Sequence, residues 1–341
     1  MKDWTWRVPT QATEIDTFAF AQFGKADAAL SSPLVIRGLA SAWPLVVAGR
    51  DGDGAAAHYL STFDRGILVK TMIGPPEING RFFYDDAMRG YNFAVEQVPL
   101  KTLIDQLIDL SGATDAPSLY AGSTPTADCL PGFADANVMP LPTPGASPRI
   151  WIGNATHIAP HYDVSDNIAV VALGRRRFTF FPPSQTPNLY VGPLDITIAG
   201  QPVSMVDIRQ PDLARFPRYA DAMPAATYAD LEPGDAVFVP SLWWHCVEAY
   251  ASVNILVNYW YNAPAQSSPF AALVHAMLAV RDLPDTERDA WRVWFDHFVF
   301  SAGATAAGSH LPSHAQRLLG PPSAERADAI RGFVLNALAR K

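Results

Sequence analysis

Short apolar runs separated by turn residues dominate the middle of the chain. Residues 149–152, 167–173, 176–181, 203–207, 236–240, 245–247 and 252–260 read as strands. Gly174, Pro182-Pro183 and Glu232-Pro233-Gly234-Asp235 punctuate them. Many short strands at this spacing predict a barrel or a double-sheet jelly roll. Upstream the pattern is mixed. Residues 16–23 and 99–110 have helical spacing, with Leu103, Leu107 and Leu110 at i, i+4 and i+7 in the second. Residues 34–37, 67–71 and 81–84 read as strands, and the proline- and glycine-rich stretch 131–148 as a loop. Beyond residue 263 the period becomes helical. Phe270, Leu273, Val274, Met277 and Leu278 form one apolar stripe. Trp291, Trp294, Phe295 and Phe298 form a second, and Ile330, Phe333, Val334 and Leu338 a third. The expected fold is therefore mainly β: a jelly-roll core over about 115–262, N-terminal α/β elements before it, and a C-terminal helical segment over 263–341.

Composition sharpens this picture. The chain has 341 residues, 49% of them hydrophobic and 17% charged, which suffices for a large core and excludes a disordered chain. Thirty prolines and 22 glycines suit turns between strands rather than a helical bundle. Twenty-five basic residues against 33 acidic ones leave a net charge of −8, which argues against nucleic acid as a partner. The only cysteines, Cys129 and Cys246, cannot form a disulfide scaffold. No apolar stretch follows the N-terminal lysine as a signal peptide would require, and the longest helical apolar stretch, 270–280, is about half a membrane span. A cytoplasmic protein without membrane contact is the expectation.

The candidate chemistry lies in His157-Ile-Ala-Pro-His161-Tyr-Asp163. Residues i and i+2 of a strand share a face, so His161 and Asp163 can present an imidazole and a carboxylate together. A second histidine would complete a facial triad, the donor set that suits non-haem Fe(II). His245, at the start of a strand after the Pro-Gly-Asp turn, is the candidate, because an antiparallel jelly roll can bring that strand beside the first. His157, His161 and His245 are an alternative donor set, since strict strand parity would put 157 on the face of 161. Cys246 would point to the opposite face from His245, buried and inert. Trp243, Trp244 and Trp260 read as packing residues.

The run HYDVSDNIAVVALGRRRFTFFPP, followed by LEPGDAVFVPSLWWHCVEAYASVNILVNYWY, resembles the cupin-like Jumonji C family. PLVIRGLASAWPLV, GRFFYDD and GPLDITIAGQPVSMVDIRQPDLARFPRY extend the resemblance over about residues 30–262. It is similar to the asparaginyl hydroxylase of the hypoxia response and to its bacterial relatives. The resemblance implies a double-stranded β-helix in a cupin-like domain over 1–262, and an oxidoreductase: an Fe(II)- and 2-oxoglutarate-dependent dioxygenase. It makes His161, Asp163 and His245 the iron ligands, and leaves the hydroxylated substrate open between a protein side chain and a small molecule.

The cosubstrate pocket follows by the same resemblance. The family sets a lysine two residues after a glycine to grip the distal carboxylate. Here Gly174 is followed by Arg175 and Arg176, so an arginine stands in its place. Strand parity supports Arg176 independently, because it shares a face with Phe178 and Phe180 while Arg175 and Arg177 share the other. A guanidinium keeps the charge and grips a carboxylate bidentately, but it is longer and wider than an ammonium. Asn167 and Asn258 match positions where the family places polar groups near metal and cosubstrate, and Tyr120 matches a tyrosine that bonds the distal carboxylate. Two further expectations complete the reading. Related hydroxylases dimerise through C-terminal helices, and the aromatic stripes after residue 265 predict the same here. A non-catalytic cupin-like protein that keeps the metal or carboxylate pocket for binding is the rival to the enzyme.

Overall fold

The computed structural model describes residues 10–16, 31–198, 200–262 and 267–339. The chain divides into two units, Met1–Ala263 and Pro264–Lys341. The strands of the first unit begin with β1 (Thr10–Gln11), β2 (Thr13–Glu14), β3 (Leu34–Ile36), β4 (Leu68–Gly74) and β5 (Arg81–Phe82). They continue with β6 (Ala94–Pro99), β7 (Ser118–Pro125), β8 (Arg149–Gly153), β9 (His157–His161) and β10 (Asp166–Leu173). The last are β11 (Arg176–Phe181), β12 (Thr227–Leu231), β13 (Ala236–Val239), β14 (Trp244–Ala249) and β15 (Asn254–Tyr261). A six-stranded sheet runs β1-β12-β11-β14-β9-β5, and a nine-stranded sheet runs β2-β3-β13-β10-β15-β8-β7-β4-β6.

The two sheets pack face to face. Phe178 and Phe180 of β11 and Val247 of β14 meet Ala169 and Val171 of β10 and Val237 and Val239 of β13. Each fully buried phenylalanine contributes roughly 1.5–3 kcal/mol relative to exposure. The outer face of the nine-stranded sheet is covered as well. Ile168, Val170 and Ala172 of β10 cluster with Leu45 of helix α1 (Pro44–Gly49), Leu60 of α2 (Asp53–Ser61), and Leu103 and Leu107 of α3 (Leu100–Asp109). A strand buried on both faces reads as a continuous apolar run, as β10 does. The outer face of the six-stranded sheet is sealed by the 182–226 segment, where Leu189, Val206, Ile208 and Tyr219 pack on Phe181, Trp244 and Cys246.

Two turns set the register. Gly174, between β10 and β11, has φ +73°, and a Cβ there would meet the Asn254 side chain and, at 2.8 Å, the Val253 carbonyl. Gly234, before β13, has φ +98° and would meet Ser41 Oγ at 2.7 Å. Both conditions favour glycine.

The expected strands at 34–37, 67–71, 81–84, 149–152, 167–173, 176–181, 236–240, 245–247 and 252–260 form within a few residues of their expected ends, as does the helix at 99–110. Residues 17–23 of the other expected N-terminal helix lie outside the described residues. The strand expected over 203–207 does not form; only isolated bridges His161–Val203 and Val191–Ser204 appear. Its backbone divides between two partners: Ser204 N–H donates to the Pro160 carbonyl, while Met205 N–H donates to the Tyr190 carbonyl and the Val203 carbonyl accepts from Gly192 N–H, so no continuous ladder forms. A short helix, Phe133–Ala136, interrupts the expected loop at 131–148. Among the strands the pattern missed, β6 is mostly exposed and lacks the alternation that marks a half-buried strand.

In the second unit α-helices cover Pro269–Ala276, Asp285–Phe295 and Ala324–Ala339. Ser268 caps the first by accepting from Ala271 N–H. None of these three helices contains a buried residue. Among the described residues no helix is long and apolar enough to cross a membrane.

Candidate metal centre

β9 and β14 are antiparallel neighbours, with His161 opposite His245. The two imidazole rings lie 4.4 Å apart between centroids. Asp163 follows just past the end of β9, and its Oδ2 is 3.6 Å from His245 Nε2. One donor atom from each of the three residues falls within 4.8 Å of the others, a spacing that could hold a metal ion.

The rings are held in one orientation. His161 Nδ1 lies 2.9 Å from the Ala159 carbonyl, and His245 Nδ1 lies 3.0 Å from the Trp243 carbonyl. Carbonyls only accept, so each Nδ1 carries the proton and each Nε2 keeps its lone pair for a ligand. This is the outer hydrogen bonding that metal-binding histidines require. Burial, and next the neighbouring His161, push His245 down to about 4, so its ring is neutral at physiological pH.

The carboxylate is anchored from the other sheet. Asp163 Oδ2 accepts from Trp260 Nε1 at 2.9 Å and from Asn167 Nδ2 at 3.3 Å. Asn167 Oδ1 accepts from Asn258 Nδ2 at 3.1 Å, and Asn258 Oδ1 accepts from Trp151 Nε1 at 2.7 Å. Three strands thereby fix one carboxylate: β10 through Asn167, β15 through Asn258 and Trp260, and β8 through Trp151. Asn167 and Asn258 thus stand beside Asp163. Trp260, expected to serve packing, also orients the carboxylate through its indole N–H. Its shared parity with Asn258 along β15 was the available signal.

Arg176 points inward and is 2% exposed, although arginine is seldom buried. Its neighbours point out: Arg177 pairs bidentately with Asp230 at 2.6 and 2.7 Å, and Arg175 reaches Glu232 at 3.7 Å. Inside the barrel Arg176 faces the buried Tyr120 of β7 in the opposite sheet, close enough for the two groups to interact electrostatically. Burial pushes the Tyr120 hydroxyl up to about 12 and draws Arg176 below its ordinary value. Arg176 Nε has no hydrogen-bond partner among the described residues.

His157 does not join His161 and His245, so the alternative donor set of three histidines does not form. Between the His245–His161 and Val247–Ile158 pairs, two steps on β14 match three on β9. That extra residue, in a stretch containing Pro160, is a β-bulge that turns His157 to the opposite face. There its Nε2 lies 4.0 Å from Cys246 Sγ and 3.9 Å from Asp207 Oδ1, and its Nδ1 lies 3.7 Å from Glu248 Oε1. Burial lowers His157 and raises the Cys246 thiol well above its ordinary range. Cys246 is buried as expected.

A double-sheet jelly roll with two histidines and an aspartate converging on one spot defines a cupin with a candidate metal centre. The chain belongs to the cupin-like domain family, whose sequence profile matches residues 21–267. Human HSPB1-associated protein 1 is 37% identical over 119 residues, 34% of this chain and 24% of that protein. Lysine-specific demethylase JMJ31 of Arabidopsis thaliana is 30% identical over 139 residues, 40% of this chain and 24% of the relative. The tRNA wybutosine-synthesizing protein 5 of Gallus gallus is 30% identical over 145 residues, covering 38% and 43%. The chain spans about a quarter of the first two relatives and under half of the third. These similarities bear out the Jumonji C resemblance and relate the chain to the oxygenases of that type.

Proposed function

We propose that this chain is an Fe(II)- and 2-oxoglutarate-dependent oxygenase that hydroxylates a protein side chain or a small molecule. The observation that carries this reading is the convergence of His161, Asp163 and His245 with both Nε2 lone pairs free. Two imidazoles and one carboxylate on one side of an ion are the donor set of non-haem Fe(II) oxygenases. The cosubstrate fits too. Arg176 is a buried cation whose Nε has no partner among the described residues, and a carboxylate would satisfy both its charge and that N–H.

His161, Asp163 and His245 would hold the iron, and Arg176 with Tyr120 would hold the distal carboxylate of 2-oxoglutarate. Iron and 2-oxoglutarate, when bound, supply O2 activation coupled to oxidative decarboxylation of the cosubstrate. The chain's own part is to orient. Trp260 and Asn167 keep the Asp163 carboxylate in place, the Ala159 and Trp243 carbonyls fix the ring tautomers, and Phe178 and Phe180 add an apolar wall beside these polar groups.

Succinate formed from 2-oxoglutarate on aerobic incubation with Fe(II) tests the reading. The wild-type chain should produce it. No succinate, with intact 2-oxoglutarate binding, would hand the site to the non-catalytic binding reading.

A further inference from the structure

The bulge that removes His157 from the front of the β9–β14 pair assembles a second donor set on its back. Cys246 and Glu248 are i and i+2 on β14, so they share the face opposite His245. Glu248 is the register partner of His157. All three side chains are buried, His157 at 2% exposure, and Cys246 packs against Leu189, Val206 and Tyr219.

The pocket's own hydrogen bonding is incomplete, with one long contact between Cys246 Sγ and His157 Nε2 at 4.0 Å. His157 Nδ1 has no partner among the described residues. The Glu248 carboxylate oxygen nearest it is 3.7 Å away, too far for a hydrogen bond. On the other edge of the ring, Cys246 Sγ sits 4.0 Å from Nε2. A buried imidazole nitrogen left unpaired costs about 1–3 kcal/mol, so three donors facing one another across gaps need an explanation. Asp207 does not supply it, because that carboxylate is engaged by Arg81 at 3.6 Å and Arg209 at 3.4 Å.

We propose that His157, Cys246 and Glu248 form a second divalent-metal site, of the structural Zn(II) type, on the outer face of the six-stranded sheet. Donor atoms from the three residues already lie within 4.8 Å of one another. With zinc–sulfur and zinc–nitrogen bonds of about 2.3 and 2.0 Å, a tetrahedral ion sets its ligands about 3.5 Å apart. An ion on His157 Nε2 has Cys246 Sγ 4.0 Å from that nitrogen, and Glu248, now on the Nδ1 edge, joins by swinging its carboxylate to the Nε2 side. A thiolate with an imidazole selects a softer ion than the His161, Asp163 and His245 set. Asp207, 3.9 Å from His157 Nε2, stands at the edge where a fourth ligand would enter. An ion here would tie β9 and β14 together behind the front site, and its binding releases the thiol proton. The proposal does not depend on the oxygenase reading.

Co(II) separates the two sites. The full chain, stripped with a chelator, is titrated with Co(II) without oxygen. Two equivalents should bind, with a thiolate-to-cobalt charge-transfer band in the near ultraviolet that Zn(II) abolishes. Cys246→Ser should lose the band and one equivalent, whereas His161→Ala should lose the other equivalent and keep the band. Should Cys246→Ser fail to fold by circular dichroism, His157→Asn gives the second reading: its band midpoint should rise at least tenfold. A wild-type chain without the band, a band that survives in Cys246→Ser, or an unmoved midpoint in His157→Asn overturns the proposal.

Discussion

Arg176 is a buried cation facing a tyrosine, and it separates catalytic from packing roles most sharply. Truncating one member of a buried charge-assisted pair costs about 2–5 kcal/mol. Arg176→Ala should therefore weaken 2-oxoglutarate binding by about 30-fold or more, at roughly 1.4 kcal/mol per tenfold. Arg176→Lys should recover part of that, whereas Arg175→Ala and Arg177→Ala, on the outer face, should change it by less than about threefold. Calorimetry on the anaerobic Mn(II)-loaded chain reads all four. Strand parity made Arg176 legible from the sequence, and the H-x-D triplet did the same for His161 and Asp163. Trp260 was not legible, because an indole that packs and one that donates look alike in a sequence. A second residue-scale expectation concerns pH. His245 is held at about 4 against an ordinary 6.5, so the unfolded chain takes up protons first as pH falls. Stability in the metal-free protein is then present above about 6.5 and drains away towards 4, and His157, also lowered, adds in the same direction. The unfolding temperature should drop by several degrees between pH 7 and 5, and less steeply in His245→Gln. Equal slopes in the two proteins would contradict it.

The strands carry the geometry that single residues cannot. β9 and β14 supply the imidazoles, but β8, β10 and β15 orient the carboxylate through Trp151, Asn167, Asn258 and Trp260. Trp260→Phe keeps an aromatic ring, smaller than the indole, and removes the N–H. It should weaken metal binding by roughly 10- to 100-fold, as outer-shell changes do, with little loss of stability. Metal affinity equal to wild type would show that the indole only packs. The bulge in β9 is the element-scale feature the sequence hid. Parity counting assumes an unbroken ladder, and one extra residue reverses every face beyond it. Pro160, which has no N–H to give a ladder, was the cue. The strand expected at 203–207 failed for a different reason, since its backbone bonds pass from the 190–192 segment to Pro160 within two residues and leave only isolated bridges.

Across the whole molecule, the second unit leaves its apolar stripes open: Leu278 is 78% exposed, Phe300 73%, Trp294 59% and Phe333 64%. We propose that these helices join two copies of the chain. Sedimentation at micromolar concentration should show a dimer, and paired Trp294→Glu and Phe333→Glu changes should shift it to monomer; a wild-type monomer would refute the assembly. Helical period made the stripes readable, but their exposure is a property of the fold and no sequence pattern displays it. The central claim joins the two halves of the front site: the His161, Asp163 and His245 cluster and Arg176 bind one cosubstrate together. Affinities coupled in this way are reciprocal. The direct measurement is titration of 2-oxoglutarate into the anaerobic chain with and without Mn(II), in wild type and Asp163→Ala. The account predicts binding that tightens at least tenfold with Mn(II) in wild type and does not respond to it in Asp163→Ala. Equal affinity with and without Mn(II) in the wild-type chain, or the full Mn(II) response in Asp163→Ala, would contradict it.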